Sequence, residues 1–229
     1  MFDSTDGVGE RWLLEREVGS AAAFHARDLP QPAERRVSVL DVERPALVLG
    51  STQPEDHVDA GAVASAGAEL VRRRSGGGAV LVEPGRAVWI DVVVPRGDRL
   101  WVDDVGRATF WLGATWVEAL DDLGVPAVAH RGRMVTSPWS SRVCFAGLGP
   151  GEVQVQGRKA VGISQRRGRS AARFQCVVLD CWEPEGIVGF LALSTDVRTS
   201  AAAELAGVAT GVDRPLAQVI EAFVTRLPW

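Results

Sequence analysis

The sequence predicts one continuous α+β domain spanning residues 1–229, and three observations carry that expectation. Short apolar runs bounded by Gly and Pro recur through the first two-thirds of the chain and have the length of strands. Between residues 103 and 123 apolar side chains return at three- and four-residue steps, the period of a helix that buries one face. Residues 186–229 are again mostly helical in pattern. No internal repeat or low-complexity linker divides the chain, and 46% apolar residues are ample for a sizeable core.

Taken in order, residues 11–26 predict a helix with Leu13, Leu14, Val18, Ala21 and Ala22 along one face. The runs 37–42 and 46–49 predict strands, punctuated by Pro45 and Gly50. A short Ala-rich helix is expected over 59–66, and Leu70-Val71-Arg72 starts a strand that runs into Ser75-Gly76-Gly77-Gly78. Residues 79–83 and 87–94 flank Pro84-Gly85-Arg86 in the pattern of a β-hairpin. The helix over 103–123 takes Asp103 as its cap and turns Val105, Ala108, Leu112, Trp116, Ala119, Leu120 and Leu123 toward a sheet. Residues 131–151 dissolve into Gly, Pro and Ser, a long irregular stretch of the kind a domain keeps for function. Strands are expected again at 152–156, 160–165 and 173–182, with a basic turn at 166–169. Pro215 opens a helix whose face carries Leu216, Val219, Ile220, Phe223 and Leu227.

Composition excludes several function classes. The 25 basic and 29 acidic residues give a net charge of −4, which argues against a general binder of nucleic acid or anionic membranes. No run approaches the ~20 apolar residues that span a bilayer. Residues 1–10 are polar and acidic, unlike a signal or transit peptide. Cys144, Cys176 and Cys181 form no metal-ligand spacing with His25, His57 or His130, so neither a metal site nor a disulfide framework is expected. An odd thiol count without an export signal fits the cytoplasm. Cys176 and Cys181, in or at the end of an apolar strand, are expected to serve packing.

Two segments could carry chemistry. Arg72-Arg73-Arg74-Ser75-Gly76-Gly77-Gly78-Ala79-Val80 places three glycines after a strand, where backbone can approach a ligand closely, beside guanidinium groups suited to phosphate or carboxylate. It lacks the Gly-Lys-Ser/Thr of a Walker loop and the spacing of a dinucleotide fingerprint. The other segment, Gly157-Arg158-Lys159-Ala160-Val161-Gly162, holds the one lysine of the chain; the remaining basic residues are all arginine. A compact amine set among apolar neighbours can point at a carbonyl, carboxylate or phosphate.

Together these segments resemble the biotin/lipoate protein ligase catalytic family, which includes lipoate–protein ligases and octanoyltransferases. Arg74 to Val80 is similar to its glycine-rich acyl- and phosphate-pocket loop, and Lys159 with Gln165 to its catalytic-lysine segment; Gly50 and Gln53 are similar to an earlier Gly-x-x-Gln element. The resemblance is strongest over residues 46–182. It implies a mixed, largely antiparallel sheet with flanking helices and an acyl tunnel, with Arg74, Ser75, Gly76, Gly77, Gly78, Ala79, Gly157 and Gly162 binding acyl or phosphate groups. Cys144, with Glu152 eight and Lys159 fifteen residues beyond it, resembles the spacing of cysteine-dependent octanoyltransferases. That implies a thiol nucleophile, with Lys159 as its neighbouring cation and as the group that orients and polarises the acyl carbonyl. The donor would be octanoyl-acyl carrier protein and the acceptor a lysine of a lipoyl-carrier domain such as the glycine cleavage H protein or a 2-oxoacid dehydrogenase E2, with no cofactor. The alternative is ligation of free lipoate or octanoate with ATP and Mg through an acyl-adenylate; a third reading is a non-catalytic acyl-binding or carrier-interacting homologue. The pattern departs from the family at Val82, Ile163 and Phe174, and leaves little room for the C-terminal domain of larger ligases.

Overall fold

The computed structural model describes residues 11–229; residues 1–10, read above as polar and acidic, lie outside the described residues. Among the described residues ten strands form two sheets. The larger contains β1 (Leu13–Gly19), β2 (Arg36–Val42), β6 (Ala87–Pro95), β7 (Ala127–Ala129), β8 (Val153–Val155), β9 (Arg158–Arg167) and β10 (Ala171–Leu179), in the order β1-β2-β6-β10-β9-β8-β7. Every neighbouring pair in it is antiparallel except β1 with β2. The smaller sheet has β3 (Ala46–Leu49) between β4 (Glu69–Arg72), parallel to it, and β5 (Val80–Val82), antiparallel to it. Among the described residues six α-helices complete the fold: α1 (Ala21–Ala26), α2 (Ala60–Ser65), α3 (Phe110–Asp122), α4 (Pro184–Val188), α5 (Thr195–Leu205) and α6 (Leu216–Thr225). The expected mixed, largely antiparallel α+β architecture is present.

Three apolar clusters divide the molecule into layers. Alternate residues of β6 (Val88, Ile90, Val92, Val94) and of β10 (Ala172, Phe174, Cys176, Val178) face α3 and α6, where Trp116 stacks on Phe223 at 4.2 Å between centroids. That pair contributes ~0.5–1.5 kcal/mol beyond its burial. The opposite face of the large sheet, with Leu40, Trp89 and Leu179, packs on Val48, Val80 and Val82 of the small sheet. The other side of the small sheet is covered by α2, α4 and α5.

Four expectations are corrected. Residues 11–26 split into β1 and α1: Ser20 caps α1 by accepting from the Ala23 amide at 3.1 Å, while Leu13, Leu14 and Val18 are exposed on an edge strand. The strands flanking Pro84-Gly85-Arg86 do not pair with each other. The turn forms, with Gly85 at φ +70 and the Arg86 amide donating to Glu83 at 3.1 Å, yet it passes the chain from the small sheet to the large one. The long helix begins at Phe110 rather than Asp103, because the Asp104 carboxylate accepts from the amides of Gly106 (2.8 Å) and Arg107 (3.1 Å) and holds a turn there. Val105 is accordingly exposed. Arg166 and Arg167 belong to β9, so the turn is shorter than expected and its amide bond runs from Gly168 to the Ala171 carbonyl.

Candidate active site

Between the two sheets lies a cavity of about 290 Å³. Its floor is apolar, built by Val48, Val80 and Val82 from the small sheet and Trp89 and Val177 from the large one. Its walls carry Arg73, Ser75, the three glycines, Cys144, Glu152, Lys159, Gly162 and Gln175. The two segments of interest, far apart in sequence, therefore meet at one opening.

The glycine loop is defined by close approaches that a side chain would forbid. A Cβ on Gly50 would fall 1.8 Å from the Gly77 carbonyl oxygen, and one on Gly78 would fall 2.5 Å from the Val143 nitrogen. Gly77 itself has φ +97, the left-handed region open to glycine. Gln53 fastens the arrangement: its side-chain oxygen accepts from the Gly50 amide at 3.3 Å and its amide donates to the Arg142 carbonyl at 3.2 Å. The irregular segment is stitched to the loop as well. Ala79 donates to the Arg142 carbonyl at 2.8 Å, and Cys144 donates back to the Ala79 carbonyl at 2.7 Å.

Lys159 is almost fully buried, and each of the three hydrogens of its ammonium has a partner within the protein. It lies 2.7 Å from Glu152 Oε2 and donates to the carbonyls of Cys144 at 3.1 Å and Gly147 at 3.0 Å. The Phe145 ring sits below it, 5.1 Å from Nζ to the centroid. Glu152 is equally well used, accepting from the Ile163 amide at 3.0 Å and the Gly149 amide at 2.6 Å. Gly162 lies directly against the lysine stem and the Phe145 ring: a Cβ there would meet Lys159 Cε at 3.5 Å and the ring at 3.6 Å, ordinary contact distances.

The thiol of Cys144 is half-buried in the cavity wall, and Arg73 stands beside it with Nη2 3.7 Å from Sγ. Arg73 is buried and rigidly held: Nη2 donates to the carbonyls of Gly76 (2.7 Å) and Gly78 (2.8 Å), and Nη1 to Val48 (3.2 Å). His25, also in the cavity lining, packs tilted against Trp89 with centroids 4.7 Å apart and 35° between planes, and its imidazole is pushed down to about 4 by burial and by the charges of Arg73 and Arg173. Gln175 donates to the buried Asp91 at 3.1 Å, whose carboxyl is pushed up by burial against the pull of Arg173.

A profile of the lipoyl protein ligase A/B catalytic domain matches residues 23–226. The chain belongs to that family. No curated protein sequence matches it. Among solved structures, a bi-partite lipoate protein ligase from Thermoplasma acidophilum, studied with its E2 lipoyl domain, aligns at a TM-score of 0.71 and 17% identity over 95% of this chain and 82% of its own. A lipoate-protein ligase A bound with ATP gives 0.67 and 17% over 95% and 83%, and P. falciparum LipL1 in complex with lipoate gives 0.61 and 11% over 94% and 61%. At such identities the likeness is one of fold.

Within this lipoyl protein ligase A/B domain the residues singled out in the sequence fall into two groups. Ser75, Gly76, Gly77, Gly78, Cys144, Lys159 and Gly162 line the cavity. Arg74, Ala79 and Gly157 do not. Arg74 is exposed and pairs with Asp28 at 3.0 Å, Ala79 is buried behind the loop, and Gly157 sits at the β8–β9 turn with φ +77. The arginine inside the cavity is Arg73, one residue earlier. Of the departures from the family pattern, Val82 and Ile163 line the cavity, whereas Phe174 faces the core behind the sheet, edge-on to Trp111 at 5.9 Å, and Gln175 takes the inward position. Lys159, expected to be the cation beside the thiol, donates to the carbonyl of Cys144 itself. His25, Arg73 and Glu152 complete the site. The first two had no sequence signal beyond a lone histidine and a run of three arginines. Cys176 is buried with its thiol pushed up to about 12 by burial, while Cys181 departs from the expected packing role: it is half-buried and receives a hydrogen bond from Arg86.

Proposed function

We propose that the protein transfers an octanoyl or lipoyl group to a lysine of a lipoyl-carrier domain in the cytoplasm, through an acyl-enzyme on Cys144. The observation that carries this reading is a thiol in the wall of an apolar-floored cavity with a fixed guanidinium 3.7 Å from its sulfur. An arginine N–H at that distance can donate to the sulfur and hold it toward the cavity. The thiolate attacks the thioester carbonyl of octanoyl-acyl carrier protein. A new C–S bond to Cys144 forms as the carrier's C–S bond breaks, and the carrier thiol leaves with the cysteine's proton. The neutral amine of the acceptor lysine then attacks the acyl-enzyme, an amide forms, and the proton lost by the amine restores the Cys144 thiol. Backbone N–H groups of the glycine loop, which Arg73 holds in place, stabilise the oxyanion. Lys159, its hydrogens engaged by Glu152 and by the Cys144 and Gly147 carbonyls, fixes the backbone of the nucleophile rather than polarising the acyl carbonyl. Acceptors of the proposed kind are the glycine cleavage H protein and a 2-oxoacid dehydrogenase E2.

A second reading, ATP-dependent ligation through an acyl-adenylate, is favoured by the glycine loop, whose close-packed backbone suits phosphate, and by the fold shared with a ligase A bound with ATP. Among the described residues no group of three or more His, Cys, Asp or Glu is placed to hold a metal ion, so Mg would arrive with the nucleotide. Incubation with octanoyl-acyl carrier protein, followed by intact mass, separates the readings. An adduct on the wild type that is lost in Cys144→Ala supports transfer. No adduct, or one that persists in the variant, overturns it, and octanoate-dependent ATP–pyrophosphate exchange then supports ligation.

A further inference from the structure

A second cavity of about 120 Å³ adjoins the first, and the two share Val80 and Phe145 as walls. Beyond that partition the second cavity is lined by Leu81, Leu179, Trp182 and Ile187, and its outer rim is set by Arg86, which pairs with Glu183 at 3.2 Å and Asp180 at 3.6 Å. The partition is braced. Phe145 is buried and stacks on Trp182 at 5.8 Å with 22° between planes, and the Trp182 indole donates to the Leu205 carbonyl at 2.8 Å. Behind these two apolar side chains lies further space, apolar on the side of Leu81, Leu179, Trp182 and Ile187 and polar on the side of Glu83, Arg86, Asp180, Cys181 and Glu183.

We infer that the second cavity is a distal acyl subsite closed off by Phe145 and Val80, so that these two side chains set the upper limit on the length of the acyl chain bound. The ligand class is a saturated acyl chain longer than eight carbons. The inference rests on reading the first cavity as the acyl site. Shortening either wall residue joins the two spaces, and each further methylene that leaves water then tightens binding about fourfold, ~0.8 kcal/mol. Gly186 offers an independent plug, because a Cβ there points into the second cavity and meets Leu81 Cδ2 at 3.4 Å, ordinary contact distance.

The test compares affinities for octanoate and dodecanoate by calorimetry in the wild type, Phe145→Ala and Val80→Ala. Val80 belongs to β5, whereas Phe145 is the ring beneath the Lys159 ammonium, so the Val80 variant guards against a general disturbance of the site. The preference for dodecanoate over octanoate is expected to rise at least tenfold in both variants and to return to the wild-type ratio when Gly186→Leu is added. A ratio that stays at the wild-type value in both, a rise that survives Gly186→Leu, or no binding of either acid to any of these proteins overturns the inference. Failure of the transfer reading shows separately, as the absence of a Cys144 adduct with octanoyl-acyl carrier protein.

Discussion

The ammonium of Lys159 and the carboxylate of Glu152 stand 2.7 Å apart, both buried beneath the segment that carries Cys144. Removing one member leaves an uncompensated buried charge, which costs ~3–5 kcal/mol, whereas removing both is far milder. Lys159→Met and Glu152→Gln are each expected to lower stability by that order in urea unfolding. The double variant is expected to lose much less than the sum; strict additivity would show that the two groups do not act as a pair.

Arg73 governs the reactivity of Cys144. Arg73→Met removes the hydrogen-bond donor 3.7 Å from Sγ and the ties to the Gly76 and Gly78 carbonyls that hold the loop beside it, so alkylation of Cys144 by iodoacetamide at pH 7 should slow severalfold. Peptide-resolved mass spectrometry keeps this site apart from Cys181. Arg74→Ala, which loses an exposed pair with Asp28 and a 3.3 Å hydrogen bond to the Ala26 carbonyl, should leave the rate unchanged and stability within about 1 kcal/mol. Equal slowing in the two variants would contradict the assignment.

His25 makes stability depend on pH. Its folded-state value of about 4 lies below the ordinary 6.5, chiefly through burial and then through Arg73 and Arg173. The unfolded chain therefore binds more protons between those limits, and the His25 contribution to stability falls as pH drops from about 6.5 toward about 4. Thermal melts at pH 7.5 and 4.5 should show a smaller loss for His25→Gln than for the wild type. An identical loss would mean the imidazole does not titrate as described.

Gly50 is not replaceable. The Cβ of Gly50→Ala would sit 1.8 Å from the Gly77 carbonyl oxygen, and backbone rather than a flexible side chain must give way. Overpacking of this kind costs ~1–3 kcal/mol. The variant should melt lower and bind octanoate more weakly, while Gly67→Ala, which meets nothing nearby but has φ +63, should lose stability without loss of binding.

The strands of the central sheet and the helices around Asp59 and Pro215 were legible because each rests on local pattern, and the meeting of the glycine loop with Lys159 was implied by the family resemblance that the two segments carry. What failed has physical reasons. Leu13, Leu14 and Val18 mimic a helical stripe, but β1 is an edge strand whose stability comes from pairing with β2 and from surface ion pairs such as Glu15 with Arg36 at 2.8 Å. The turn at Gly85 is local and was readable; which sheet each flanking strand joins is decided by contacts distant in sequence. Choosing Arg73 over Arg74 depends on which of two adjacent side chains points inward, and nothing in a run of three arginines marks it.

The reciprocal amide bonds between Ala79 and the 142–144 segment make the glycine loop and the nucleophile one mechanical body. A ligand that lifts the loop must carry the sulfur with it, so entry of the acyl group and alignment of the thiol become a single event. The amides of Ala79 and Cys144 should then exchange with deuterium at a common rate, and an acyl ligand should slow both together.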